Sequence, residues 1–380
     1  MKIVFVSNYY NHHQAALCRA LDNFAQNFYF VATAEMRKER RELGYGNWDI
    51  PRFVVTTCGE KEAKKKCEAA ISDSDVVIVG SAPESLVATH VKKGKLTFRY
   101  SERPLKEKLG FLRRLKRYVV WHMRNPRNKE VYLLCAGAYV AYDYSKLGLF
   151  DGRAYKWGYF PETKNYENID ALVSKKSKKQ ILWVGRLIPL KHPENALMLA
   201  KRMKDSGYSF SLKMIGTGIM EDSLRRMIKE LEIEDVVTML GSMAPERVRE
   251  YMEKSGIFLA TADRNEGWGA VINEAMNSGC AVVCNAEIGS VPYLIENEKN
   301  GLVYKSFDIN NLYEKVIALI EQPELQYRIG KEAYLTIINE WNAEVAAERL
   351  MRLSEAILSG DKTPDLYKSG PCSRAELIEN

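Results

Sequence analysis

The 380-residue chain has no uninterrupted apolar run of the length, about 18 residues, that a helix needs to cross a bilayer. Its seven cysteines are an odd number, scattered, with no Cys-x-x-Cys pair, so a disulfide framework is not expected and a reducing cytoplasm suits the chain. Cys280 and Cys284 bracket a short apolar run and read as small core residues. No Gly-x-Gly-x-x-Gly follows a candidate strand, which takes away the usual dinucleotide fingerprint and with it an NAD-type oxidoreductase. Histidine is scarce, five in all, and the adjacent His12 and His13 stand without a supporting ligand cluster, so no metal site is expected there. The opening MKIVFVSNYY is too short an apolar run for a secretory leader and reads as a first strand.

What is present suits two ordinary globular domains: 46% of the residues are apolar, enough for a core in each half. The net charge of +7 is unevenly spread, because Lys92 to Lys129 holds fourteen Lys and Arg against Glu102 and Glu107. Such a patch suits a phosphate-bearing partner, whether membrane headgroups, a lipid diphosphate or nucleic acid. Within it, Pro104–Met123 places Leu105, Leu109, Leu112, Leu115 and Val119 at three- and four-residue steps between basic residues, the pattern of a basic amphipathic helix. Its apolar stripe either faces the domain core or lies in a membrane interface, with Tyr118 and Trp121 at headgroup depth. No RRM, KH or helix-turn-helix pattern supports nucleic acid.

Short apolar strands alternate with helical spacing along the whole chain. In the first half the strands are Lys2–Val6, Phe28–Ala32, Val76–Gly80, Leu96–Arg99 and Tyr132–Cys135, with helices expected at Gln14–Phe24 and near 136–147. A polar, lysine-rich stretch near 165–178 reads as a solvated linker. Beyond it come strands at Gln180–Val184, Phe210–Ile215, Val236–Leu240, Gly256–Ala262 and Ala281–Ala286, then helices near 308–320, 324–338 and 343–358. The order strand, loop, helix, strand predicts parallel α/β sheets, whose ligands gather at the carboxyl ends of the strands.

The densest chemistry lies in DRNEGWGAVINEAMNSGC, Asp263 to Cys280. Glu266 stands in a glycine-punctuated loop and Glu274 in the helix that follows, eight positions on, so both carboxylates can lie on one side, roughly 12 Å apart if helical throughout. Gly267 and Gly269 allow close backbone approach and expose amides at the helix start. Upstream, Gly185-Arg186 is followed by Lys191, and read alone these two cations would be surface charges. Glu-Gly-aromatic-Gly, then Glu-Ala-Met and Gly, together with Arg186 and Lys191, resembles the signature of family 4 retaining glycosyltransferases of the GT-B fold. Asn300-Gly301-Leu302-Val303 is similar to the family as well.

The resemblance implies two Rossmann-like domains facing a cleft: residues 1–165, joined by a carboxyl-terminal helix (about 341–380) crossing back, bind the acceptor, and 178–340 bind a nucleotide sugar. It implies that Arg186 and Lys191 clamp the donor diphosphate, stabilising the charge that grows on the departing phosphate, so that no metal or other cofactor is needed. Glu266 is expected on donor-sugar hydroxyls, Glu274 on the ribose, and the backbone of Gly267, Trp268, Gly269 and Ala270 at the sugar or phosphate. Gly218 and Met243 are expected near the nucleotide, Met243 being equally readable as a core filler.

In the first half, Asn11 and His13 occupy the loop that faces the donor diphosphate in the family, or else Asn11 simply caps a helix. Glu102 is a candidate general base, and Tyr100, Ser101 and Arg103 are candidate acceptor contacts; a surface ion pair of Glu102 and Arg103 is the plain alternative. His192 stands where the family more often has glycine, and Tyr293 where it has an acid. The donor is expected to be a UDP- or GDP-sugar and the acceptor a saccharide or polyprenyl diphosphate, for an enzyme in the cytoplasm that touches an anionic membrane through 104–129. The alternatives are another GT-B enzyme, an epimerase or phosphorylase, or a non-catalytic nucleotide or nucleic-acid binding module.

Overall fold

A computed structural model describes residues 1–36, 50–59, 61–106 and 111–379. The chain divides into two compact units, Met1–Glu162 with Asn342–Asn380, and Thr163–Trp341. Each is built on one all-parallel sheet. In the first unit the strands are β1 (Lys2–Ser7), β2 (Asn27–Ala32), β3 (Val54–Thr56), β4 (Val76–Val79), β5 (Leu96–Ser101), β6 (Val131–Ala136) and β7 (Ala154–Trp157), ordered β3-β2-β1-β4-β5-β6-β7. In the second they are β8 (Ser177–Val184), β9 (Ser211–Ile215), β10 (Val237–Met239), β11 (Ser255–Ala260), β12 (Ala281–Asn285) and β13 (Leu302–Tyr304), ordered β10-β9-β8-β11-β12-β13.

The central strands are unbroken apolar runs because helices cover both faces of a parallel sheet. β4, β6, β11 and β12 are buried at every position. Connections also stop where the sequence supplies caps: Asn11 accepts from the His13 amide, Asp308 from Asn311 and Asn342 from Val345, each at a helix start. The last of these helices, Ala343–Leu358, belongs to the first unit and packs on helix His12–Phe24, so the chain returns as expected. The tail after it lies along β7. Cys372 N donates to Lys156 O and Ala375 N to Ala154 O, so the tail shields the outer edge of the first sheet.

Two expectations fail here. The stretch 165–178 is not a solvated linker but part of the second unit, containing the helix Ile169–Ser174 and the start of β8. Lys176 is 5% exposed, with Nζ donating to Met252 O at 2.6 Å and Glu253 O at 3.1 Å. Its apolar stem is buried and its charge meets two carbonyls at the end of helix Pro245–Lys254, where a cation is favoured. β3 and β7 have no counterpart in the strands read from sequence; β7 (AYKW) places charged Lys156 among aromatics and hides its periodicity.

The expected basic amphipathic helix is shorter at its start: residues 104–106, including Leu105, are turn and loop and not helix, residues 107–110, with Leu109, lie outside the described residues, and Phe111–Arg124 is helical. Leu115, Tyr118, Val119 and Met123 are exposed along it. Trp121 is half-buried: it packs against the core beside Tyr144, ring centroids 5.7 Å apart, with the Arg117 guanidinium 4.9 Å from its ring.

Arg103 also turns inward instead of toward a ligand. Its Nε and Nη2 meet the Asp143 carboxylate at 3.2 and 3.0 Å, and both side chains are about 3–4% exposed. Breaking a buried pair leaves one charge without compensation, so Arg103→Met is expected to cost about 3–5 kcal/mol in urea denaturation. Removing both charges with Arg103→Met/Asp143→Leu should recover most of that loss. A single-mutant cost below about 1 kcal/mol would instead mark the pair as a surface feature.

Candidate active site

In the second sheet the strand order reverses between β8 and β11, and the loops leaving those two neighbours diverge to opposite sides, opening a crevice at their carboxyl ends. The β8 loop carries Gly185, Arg186 and Lys191; the β11 loop carries Asp263, Glu266, Gly267 and Gly269. Backbone bonds hold the two together: Asp263 N donates to Leu190 O at 3.0 Å, and Thr261 Oγ1 to Lys191 O at 2.6 Å. The Trp183 indole donates to the same threonine at 2.9 Å, which ties the junction to the core.

Across this junction Lys191 and Glu266 form an ion pair, each side chain 17% exposed. Arg186 is exposed on the same loop and has no acidic partner among the described residues. Glu274 lies on helix Ala270–Asn277, half-buried, and burial pushes its carboxyl up to about 7, against a smaller opposing pull from the Arg249 guanidinium. Arg249 itself donates to Asn277 Oδ1 at 2.9 Å. Helix Ala270–Asn277 has no side-chain cap: Gly269 occupies that position at φ 85°, a left-handed conformation that glycine takes without cost. The Ala270 end therefore presents backbone amides beside Glu266, and Ala270 stands at its first position.

The Trp268 side chain turns into the core. Its ring is fully buried in a cluster with Trp341 (5.7 Å) and Tyr293 (6.4 Å), and its Nε1 donates to Asn273 Oδ1 at 2.8 Å. It anchors the loop from inside. The same cluster uses Tyr293, which stacks on Trp341 at 5.9 Å. Gly289 is a second packing device: a Cβ there would come within 1.8 Å of Gly267 O. Gly218 is explained in the same way, since its Cβ would meet Leu187 O at 2.4 Å where the β9 loop lies against the β8 loop. Met243 follows β10, two strands away from β8, and is half-buried.

His192, one residue past Lys191, takes φ 46°, the left-handed region where a side chain costs roughly 1–2 kcal/mol. Its ring lies between two carboxylates, Nδ1 at 2.8 Å from Glu194 Oε1 and Nε2 at 3.2 Å from Asp263 Oδ2. Sequence reasoning noted the residue only as a departure from glycine and missed both partners, which lie two residues along the helix and 71 residues away.

In the first unit Asn11 acts as the cap: Oδ1 accepts from His13 N at 3.0 Å and Nδ2 donates to Gln14 Oε1 at 3.2 Å. The His13 ring lies 3.7 Å from that of His12 and 5.7 Å from that of Tyr159. Glu102 accepts from Tyr159 OH at 2.8 Å and from Lys106 Nζ at 2.7 Å, so its partner is not Arg103. Tyr100 donates its hydroxyl to Gly158 O, and Ser101 Oγ bonds Glu102 O and Tyr144 OH, so both are engaged internally. Tyr159 was not read as a site residue, though the aromatic run YKWGYF was visible. The Asp-x-Asp spacing at Asp73-Ser74-Asp75 is used on Lys2, whose amine and amide meet the two carboxylates.

Residues 165–336 match the model of the glycosyl transferases group 1 family. This stretch, a little under half of the chain, is similar to a group 1 glycosyl transferase domain. The amylovoran biosynthesis glycosyltransferase AmsK of Erwinia amylovora is 28% identical over 207 residues, 53% of this chain and 50% of that protein. A Campylobacter jejuni protein, N-acetylgalactosamine-N,N'-diacetylbacillosaminyl-diphospho-undecaprenol 4-alpha-N-acetylgalactosaminyltransferase, is 30% identical over 148 residues, 39% of each chain. The chain spans about half the length, or less, of the curated relatives it matches. In fold it is similar to Anabaena HepE, solved with UDP, at TM-score 0.70, 16% identity and coverage of 94% of this chain and 100% of that one. WaaG, a glycosyltransferase involved in lipopolysaccharide biosynthesis, gives TM-score 0.61 at 14% identity with the same coverage. The matched stretch therefore contains the whole crevice, from Arg186 to Gly289.

Because the Glu274 carboxyl is raised above its ordinary 4.5, it favours the fold most below that value, and the benefit is lost as pH climbs through about 7. Glu274→Gln is expected to match the wild type near pH 4 and to exceed it by on the order of 2 kcal/mol near pH 8, read by urea denaturation. Parallel pH profiles for the two proteins would refute the buried carboxyl.

Proposed function

We propose that this protein is a retaining, metal-independent glycosyltransferase that moves a sugar from a nucleoside diphosphate to a saccharide or lipid-linked acceptor in surface polysaccharide or glycolipid assembly. The observation that carries the reading is the Lys191–Glu266 pair spanning the β8/β11 crevice, beside an exposed Arg186 and an uncapped helix start. A site that holds fixed cations and an amide-rich helix end next to carboxylates suits a ligand with a diphosphate at one end and hydroxyls at the other.

In this reading Arg186 and Lys191 take the diphosphate oxygens, Glu266 the sugar hydroxyls and Glu274 the ribose. The bond from the anomeric carbon to the β-phosphate oxygen breaks, and the acceptor oxygen forms its bond on the same face. The acceptor proton passes to the leaving phosphate, whose growing charge the two cations stabilise where a metal would otherwise serve. In the first unit Tyr159 and His13, with Glu102 holding the Tyr159 hydroxyl, form the acceptor-side candidates. Further support for a diphosphate donor and a lipid-linked acceptor comes from the names of the relatives, one solved with UDP and one named for an undecaprenol-linked substrate.

The exposed stripe Leu115, Tyr118, Val119 and Met123, with Arg113 and Lys116 exposed beside it, suits the interface of an anionic membrane on the cytoplasmic side. Neutralising Arg113, Lys116 and Arg117 is expected to weaken sedimentation with phosphatidylglycerol vesicles while leaving that with neutral vesicles unchanged. Unaltered binding would remove this surface from the account.

The decisive assay follows sugar release or transfer from UDP-, GDP- and ADP-sugars. Lys191→Ala and Arg186→Ala are each expected to lower kcat by about 10²–10³-fold, as for the loss of one charge-stabilising donor, with EDTA-treated protein within about twofold of untreated. Nucleotide-sugar epimerisation without transfer, or salt-sensitive RNA binding without either, would favour the other readings. A large loss with EDTA would overturn metal independence alone.

A further inference from the structure

The left-handed position after Lys191 is one where glycine would be free of strain, yet this chain places histidine there. The ring is half-buried. Glu194 faces it from the first turn of helix Pro193–Asp205, Asp263 faces it from the β11 loop, and the Phe307 ring stands edge-on at 5.7 Å from the β13 loop. Lys191, the residue before it, is itself paired with Glu266. Asp263 is also the organiser of the turn that presents Glu266: its Oδ1 accepts from Asn265 N at 2.8 Å, and its carbonyl accepts from Glu266 N at 3.0 Å.

We propose that His192 is a positioning residue, clamping the Asp263–Glu266 turn to the start of helix Pro193–Asp205 and doing so most firmly as an imidazolium. This deepens the donor-site reading and rests on it for its functional consequence. The chemistry is that of a ring with two nitrogens facing two carboxylates. An imidazolium donates from both, whereas a neutral ring donates from one and turns a lone pair on the other carboxylate. Burial disfavours the charged ring, but the bonds to Glu194 and Asp263 outweigh it and hold His192 above its usual 6.5. The clamp is thus complete below 6.5 and released as pH rises through the raised value. When it weakens, the turn carrying Glu266 loses one of its ties to the loop carrying Lys191, beside the bonds from Asp263 N to Leu190 O and from Thr261 Oγ1 to Lys191 O, and the pair that spans the crevice loosens.

The test compares wild type, His192→Gly and His192→Asn by amide hydrogen exchange over residues 261–270, corrected for intrinsic rates, at about pH 6 and pH 8.5. In the wild type protection is expected to fall about tenfold between the two conditions, while in His192→Gly it is low and does not change with pH. His192→Asn, which tolerates the left-handed backbone and keeps one bond, should lie between. Wild-type-like protection in His192→Gly at pH 6 would overturn the proposal. So would a pH-independent wild type, or a loss of protection spread over the whole second unit.

Calorimetric titration with UDP, GDP and ADP supplies the functional arm, with affinity for the nucleotide that binds expected to drop about tenfold in His192→Gly at pH 6 and the gap from wild type to narrow at pH 8.5. Equal affinity at pH 6 would overturn the functional consequence. If the wild type binds none of the three at any pH, the donor-site reading fails, and the exchange data alone decide the clamp.

Discussion

The reversal of strand order between β8 and β11 is the constraint on which the rest of the second unit depends. Two parallel neighbours whose connections run to opposite faces cannot cover each other's carboxyl ends, so a crevice is unavoidable there. What the sequence decides is how that crevice is lined. Here one wall supplies cations and the other carboxylates, and Lys191 and Glu266 meet across it. The pair is well shielded, so each partner compensates a charge that would otherwise be costly to hold half out of water. A ligand that presents an anion to one and hydroxyls to the other can divide the pair without leaving either charge unmatched.

Much of this was legible in the sequence because the signals were local. Strands buried on both faces read as apolar runs, and Glu266, Glu274, Arg186 and Lys191 were all placed on the loops or helix beside β8 and β11. The misreadings share a physical cause: a side chain's direction is settled by tertiary partners that spacing does not encode. Arg103 sits in a basic run, yet Asp143, forty residues on, buries it. Lys176 stands in a lysine-rich stretch that reads as solvated, and two carbonyls near residue 253 capture it.

The basic segment shows the same limit at larger scale. A strong excess of Lys and Arg invites the reading of one continuous patch, but several of these cations are consumed internally. Arg99 is held by Glu84 at 2.8 Å and Asn125 at 2.9 Å, Arg103 by Asp143 at 3.0 Å, and Arg127 bonds Gly148 O. What reaches the surface beside apolar neighbours is a narrower group, Arg113 and Lys116 next to Leu115, Tyr118, Val119 and Met123. Net charge sets the long-range field, whereas contact chemistry depends on the cations left unpaired, and the two quantities differ here.

The β11 loop is ordered by two different means along its length, and the difference has a mechanical consequence. From Gly267 onward it is held by backbone contact with Gly289 and by the Trp268 anchor, neither of which contains a group that titrates near neutrality. From Asp263 to Glu266 the backbone bonds from Asp263 N to Leu190 O and from Gly289 N to Glu266 O are joined by side-chain contacts with His192 and Lys191. Those side-chain contacts are the adjustable part of the loop. A glycine after Lys191 would remove the backbone strain and the adjustability together. The retained strain at φ 46° is compensated only if the ring's two bonds hold, so the geometry of the Glu266 turn is coupled to a single imidazole.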